Sequence, residues 1–196
     1  MSTERPILLS EQLVRAILDG RKTQTRRPIL FSERLVRSIL DGRKTQTRRL
    51  VKSGHRPAAV GDLLWVREAH CFTGGHHVLW PDLPHTTGYD HGLPVVAYYR
   101  ASFDRAPPDR WRPSIHMPRW ASRITLRVTD VRRQRLHEIT PAEVLAEGIG
   151  IPALRDELLL EAWEDVWDGI NGKRAGCAWA DNPEVWAYTF EVGGDQ

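Results

Sequence analysis

The sequence predicts an α+β fold, most simply a small mixed or antiparallel β-barrel with flanking helices. Three observations lead there. Residues 123–131 and 185–192 alternate apolar and polar side chains with the period of a strand. Short strand-like runs are separated by long connections, with only a few amphipathic helices among them. The strand–helix alternation of a doubly wound sheet is missing, and so are a G-x-G-x-x-G fingerprint and a Walker-type phosphate loop, which argues against dinucleotide and nucleoside-triphosphate sites. At 196 residues the chain lies near the upper end of what one core organises, so one domain with elaborations is expected.

The chain opens with a tandem repeat. Residues 6–27 and 28–49 are identical at 19 of 22 positions and differ only at Leu9/Phe31, Gln12/Arg34 and Ala16/Ser38. Two copies are too few for a solenoid, which needs three or more stacked units. Each copy reads as a short Pro-Ile-Leu strand, then a helix. In the second copy the helix carries an apolar stripe at Leu35, Val36, Ile39 and Leu40. Ser10 or Ser32 stands where a helix is capped, and Gly20 or Gly42 supplies the left-handed position that ends it. A barrel with one place for this unit seats one copy. The second runs directly into the rest of the chain, so residues 28–196 are expected to form the domain and residues 1–27 a duplicated strand–helix appendage.

Further along, strands are expected at residues 62–68, 95–100, 123–131 and 185–192. In the third, Ile124, Leu126 and Val128 face inward while Arg123, Thr125 and Arg127 face out; in the fourth, Trp186, Tyr188, Phe190 and Val192 share a side. Residues 71–94 are rich in Gly, Pro and His with little periodicity and read as a long loop. A helix over 141–147 starts with Pro141 behind a Thr140 cap and closes at Gly148. Residues 153–169 form the longest helix, amphipathic and acidic, with Trp163 and Trp167 one turn apart.

Charge is unevenly distributed. Residues 1–57 carry 14 Lys and Arg against 5 acids, whereas the remainder carries 14 against 20. A basic segment on a mildly acidic body suits an anionic partner, with phosphate the natural candidate. No apolar run approaches the ~20 residues that cross a bilayer, and the first residues lack the apolar stretch of a secretory signal. With only Cys71 and Cys177 a disulfide scaffold is excluded, and a reducing, cytoplasmic location is expected.

The densest local signal is Gly42-Arg43-Lys44-Thr45-Gln46-Thr47-Arg48-Arg49. Cationic groups beside hydroxyls suit a phosphate or a carbonyl oxygen gaining negative charge, with Arg43 and Arg48 taken to point outward. This run resembles the ASCH family of the PUA-like superfamily, whose motif G-x-K-x-x-E-x-R is matched by Gly42, Lys44 and Arg49, with Thr47 at the Glu position. The first copy repeats it at Gly20, Lys22, Thr25 and Arg27. The resemblance extends to the Val60-Gly61-Asp62 strand entry, and residues 114–123, 171–174 and 182–183 look like those of larger phage- and prophage-associated members.

That resemblance implies a PUA-like β-barrel with a cleft for RNA or a nucleobase. It also implies an amidohydrolase acting on N4-acetylcytidine, whose working Lys and Thr match Lys44 and Thr47. Its Glu lies in a helix that opens with a Thr, and counting from Thr140 reaches Glu147. Lys22 and Thr25 are the alternative pair from the first copy. Arg43, Thr45, Arg49, Trp65 and Arg67 are expected to contact substrate or RNA. The alternatives are a non-catalytic RNA-binding module and a metal-dependent ribonuclease.

The chemistry is coherent: amide hydrolysis needs a nucleophile (Thr47), a base (Lys44, once desolvation and neighbouring arginines lower its pKa) and a group to orient them (Glu147). In an extended strand Lys44 and Thr47 would point to opposite faces, so their convergence requires a turn or bulge. Trp65, Trp111, Trp120 and Trp179 are candidates for base stacking, while Trp163 and Trp167 read as helix-packing residues. His70, His76, His77, His85 and His91 with Cys71 match no closed zinc ligand spacing, and Glu161, Glu164, Asp165 and Asp168 read as a solvated helix face, so no metal and no cofactor is expected. The expected partner is RNA or a modified nucleoside, with no membrane and no obligate protein partner.

Overall fold

The computed structural model describes residues 26–51, 57–75, 79–105 and 110–193. Eight strands and three α-helices follow in order: β1 (Arg26–Leu30), α1 (Glu33–Leu40), β2 (Gln46–Leu50), β3 (Leu63–Arg67), β4 (His70–Gly74), β5 (His85–Asp90), β6 (Leu93–Tyr99), β7 (Thr125–Arg135), α2 (Pro141–Ala146), α3 (Asp156–Asn171) and β8 (Glu184–Val192). This is a mixed α+β fold with two sheets. The larger has the order β1-β3-β7-β8-β2, and the smaller β4-β6-β5. In the larger, β1 runs parallel to β3 and the other pairs are antiparallel. Among the described residues β1 and β2 remain its two edges, so the pairing does not close into the barrel expected from the sequence. The connection between those edges is α1, whose buried Val36 and Ile39 join the core in place of a backbone ladder.

β8 explains how the core is layered. Tyr188 and Phe190 pack with Phe31, Val36, Ile39, Leu126 and Val128 under α1. Val185 belongs to a second cluster, with Val144 of α2 and Leu159, Trp163 and Trp167 of α3. Both faces of the strand are therefore covered. The inward set Ile124, Leu126 and Val128 is buried as the alternation requires. Of the three residues expected to face out, only Arg127 does: Thr125 is buried, and Arg123 is drawn in by Glu68.

Two further readings are corrected. Residues 71–94 are not one long loop, since β4 and β5 flank β6 there. The β5 run His-Thr-Thr-Gly-Tyr-Asp has no apolar alternation, and its strand character comes from pairing with β6, where Val95 to Tyr99 are all buried. His91 and Gly92, both at positive φ, make the tight turn that joins these strands. Gly88 lets Trp120 lie on β5, since a Cβ there would come within 2.3 Å of the indole. Ser32 precedes α1 but makes no side-chain cap bond. By contrast Thr140 and Glu143 form a reciprocal capping box on α2.

Most of the first repeat copy, including Lys22 and Thr25, lies outside the described residues. Its last two residues, Arg26 and Arg27, are the first of β1. No helix among the described residues is long and apolar enough to cross a membrane.

Candidate active site

The second repeat copy builds one wall of a cavity of about 850 Å³. Gly42, at φ +71°, ends α1, and the chain reverses so that the amides of Arg43 and Lys44 both donate to the Ser38 carbonyl. The next residue is tied on both sides: Thr45 N–H donates to Ala146 O, and Thr45 O accepts from Phe190 N–H. Regular β2 begins only at Gln46. Lys44 therefore sits between that turn and regular β2, in an isolated antiparallel bridge to Glu147, and it and Thr47 line the same cavity. Across from them, α2 ends at Glu147 and Gly148 takes φ +78°. A Cβ on Gly148 would lie 2.8 Å from Ser38 Cβ and 3.0 Å from Lys44 Cβ, so a glycine is what allows this approach.

Lys44 and Glu147, 103 residues apart, meet at 2.8 Å between Nζ and Oε2. The same Nζ donates to the backbone carbonyls of Gln46 at 2.7 Å and Glu147 at 2.9 Å. Three acceptors use up the three N–H groups of an ammonium. The other Glu147 oxygen, Oε1, accepts from Arg48 Nη1 at 3.1 Å, and Arg48 Nη2 lies 2.9 Å from Glu143 Oε2. Arg132 Nη2 completes the chain at 2.7 Å from Glu143 Oε1. Lys44, Arg48 and Glu147 are all buried.

Burial pushes the Lys44 pKa down from the ordinary lysine value. The Glu147 carboxylate opposes that shift, and the charges of Arg49 and Arg48 add to it. Burial also acts to raise the Glu143 carboxyl, but Arg132, the Thr140 amide and Arg48 hold it below the usual carboxylate range. Phe31 lies beneath the cationic side, 5.2 Å from Lys44 Nζ and 5.5 Å from Arg49 Cζ.

No family model matches the chain, and no curated protein matches it. Two solved structures are similar. One is an ASCH domain from Lactobacillus crispatus JV V101, at 13% identity and a TM-score of 0.49, covering 94% of this chain and 86% of that one. The other is a protein of the DUF984 family from Enterococcus faecalis V583, at 12% identity and a TM-score of 0.46, covering 93% of this chain and 90% of that one. The first bears the name of the family that the run from Gly42 to Arg49 resembles.

The residues singled out from the sequence divide into two groups. Lys44, Thr47, Arg49 and Glu147 line the cavity together. Arg43 is exposed and pairs with Asp41, and Thr45 is exposed just before β2. Trp65 is buried away from the cavity, covered by Arg67 at 4.7 Å and Arg119 at 5.7 Å. Trp111 packs on Phe103, Trp120 stacks on Phe72, and Trp179 lies against His137. The aromatic walls of the cavity are instead Phe31, Trp163, Trp167, Trp186 and Tyr188. Trp163 and Trp167 serve both the helix-packing role read from the sequence and this lining.

Arg48, expected to point outward, is buried with its side chain fully covered. It was missed because strand alternation gives the face opposite Thr47 to solvent, whereas here α2 covers that face. The legible signal was on α2: Glu143 and Glu147 stand one helical turn apart, a pair of acids awaiting cations. Among the described residues no three His, Cys, Asp or Glu side chains converge as a metal site.

Proposed function

We propose that this cavity hydrolyses the exocyclic amide of an N4-acylated cytidine, in an ASCH-type domain of the PUA-like superfamily. The observation that carries the reading is the meeting of Lys44 and Glu147 at 2.8 Å in the cavity that Thr47 also lines. The resemblance of the Gly42–Arg49 run supplies the substrate class, and the aromatic walls suit a planar base. The PUA-like barrel belongs to the same reading, with α1 bridging the two sheet edges where a closed barrel would pair them.

In this scheme Lys44 first loses one proton from its ammonium to become the working base. Thr47 Oγ1 then attacks the acyl carbon as its proton passes to Lys44 Nζ. Collapse of the tetrahedral adduct breaks the C–N bond, and Lys44 returns that proton to the departing cytosine nitrogen. Water next attacks the Thr47 ester, giving its proton to Lys44. The acid leaves, and the proton goes back to Thr47 Oγ1. Arg49, at the cavity wall, faces the developing oxyanion. Glu147 orients Lys44 throughout.

The test is incubation with N4-acetylcytidine in the presence of a chelator, following release of cytidine and acetate. Turnover that survives the chelator and disappears in Thr47→Ala is the expected result. RNA cleavage dependent on a divalent ion, or salt-sensitive RNA binding without any turnover, would replace this reading with a ribonuclease or a binding module.

A further inference from the structure

We propose that Asn171 selects the sugar of the substrate: its side-chain amide holds a ribose hydroxyl, so that the site takes acylated ribonucleosides in preference to free bases and deoxynucleosides. The proposal rests on the hydrolytic reading above for the identity of the ligand. Its content rests on how α3 lays out the cavity wall.

α3 contributes Trp163, Val166, Trp167, Ile170 and Asn171 to that wall. Trp163, Trp167 and Asn171 follow one another at intervals of four residues, so they stand on one helix face, and all three are buried. The face has a direction. Near its start, Leu159 lies so close to Gly150 that a Cβ there would come within 2.4 Å of Leu159 Cδ2, and Gly150 follows closely on Glu147 in the chain. Asn171, at the other end of the helix, lies about 18 Å further along the axis than Leu159. The wall therefore runs from the Lys44–Glu147 pair, past two indoles, to a carboxamide. Four residues of helix advance about 6 Å, which is of the order of the separation between a nucleobase and its ribose. An acylcytidine with its amide at Lys44 and its base against Trp167 brings its sugar to Asn171.

Asn171 is also the side chain on this wall that packing does not explain. Val166 and Ile170 beside it are apolar, and a leucine at its place would extend the stripe without burying an amide. Asn171 is 7% exposed, and its Nδ2 donates to the Trp167 carbonyl at a long 3.4 Å. That carbonyl is already the α-helical acceptor for the Asn171 backbone N–H, so the helix does not need the side-chain contact. The contact uses one of two N–H groups, and a carboxamide also carries an acceptor oxygen. A ribose hydroxyl both donates and accepts, so it can match either group. The run Asn171-Gly172-Lys173-Arg174, distinctive in the sequence and unused by the hydrolysis scheme, thereby gains a role at the sugar end of the cavity.

The experiment measures binding of cytidine, 2′-deoxycytidine, 3′-deoxycytidine and cytosine by calorimetry, and so needs no turnover. Cytidine should bind about tenfold more tightly than the analogue lacking the held hydroxyl, the effect of one neutral hydrogen bond. In Asn171→Leu that preference should vanish while affinity for the deoxy analogue stays as in the wild type, a split that general loosening of the fold would not produce. The side-chain amide signals of Asn171, followed by NMR in protein carrying nitrogen-15 asparagine, should shift with cytidine and not with that analogue. Equal affinities for all three nucleosides in the wild type would overturn the proposal without any variant having to fold. So would a folded Asn171→Leu protein that keeps the preference. Turnover of N4-acetylcytidine with no sugar preference sinks the role of Asn171 alone, and Asn171-dependent cytidine binding without turnover sinks the hydrolytic reading alone. Absence of binding by all four compounds, together with absence of turnover, sinks both.

Discussion

Two buried arginine–glutamate pairs in this molecule use the same side chains for different ends. Glu68 and Arg123 form a closed fork, with Nε on Oε1 at 2.8 Å and Nη2 on Oε2 at 3.0 Å. Arg123 also donates to Ser102 at 2.9 Å and lies 4.1 Å above the Tyr99 ring, and neither partner lines the cavity. Glu147 instead divides its oxygens between two cations, Oε1 to Arg48 and Oε2 to Lys44, and all three face the cavity. A closed fork leaves nothing to give a ligand. A divided carboxylate holds two cations in fixed relation in the cavity that Thr47 also lines, and one of them, Lys44, can change charge.

The comparison can be broken first through stability. Arg123→Met leaves Glu68 buried without its cation and should cost about 3–5 kcal/mol. For a domain of this size each kcal/mol moves the melting temperature by about 2–4 °C. A thermal melt showing no loss would mean that the closed fork is not the structural element assigned here.

A smaller and sharper test uses acid, because the two clusters answer it oppositely. Burial raises the Glu68 carboxyl above its ordinary value despite Arg123, so the folded state takes up that proton before the unfolded chain does. Glu68 thus favours folding increasingly as pH falls through its raised pKa, and this contribution is complete below the unfolded value of about 4.3. Glu143 is held low, so its contribution is present above about 4.3 and is lost as pH falls through the depressed value. Denaturation midpoints between neutral pH and the acid limb should therefore fall more steeply than wild type in Glu68→Gln and less steeply in Glu143→Gln. Equal slopes in all three proteins would erase the distinction.

Much of this was legible in the sequence, for reasons that can be named. Ile124, Leu126 and Val128 announced β7 because one face of that strand meets a core. Thr140 and Glu143 announced the start of α2 because capping is local chemistry. Lys44 and Glu147 were legible only through resemblance, since no spacing rule connects residues so far apart in the chain. What stayed hidden depended on what covers a surface. Arg48 lies on a strand face that α2 happens to cap. Similarly, β5 is a strand because β6 offers it a ladder, and its own composition says loop.

The central claim is that the divided cluster acts and the closed fork supports. The most direct measurement is kcat/KM for N4-acetylcytidine in the wild type, Lys44→Met and Arg123→Met, at a temperature where each is shown to be folded. We predict a fall of about 10²–10⁴-fold for Lys44→Met and values near wild type for Arg123→Met despite its lower melting temperature. Undiminished turnover in a folded Lys44→Met protein, or an equal loss in both variants, would contradict the account.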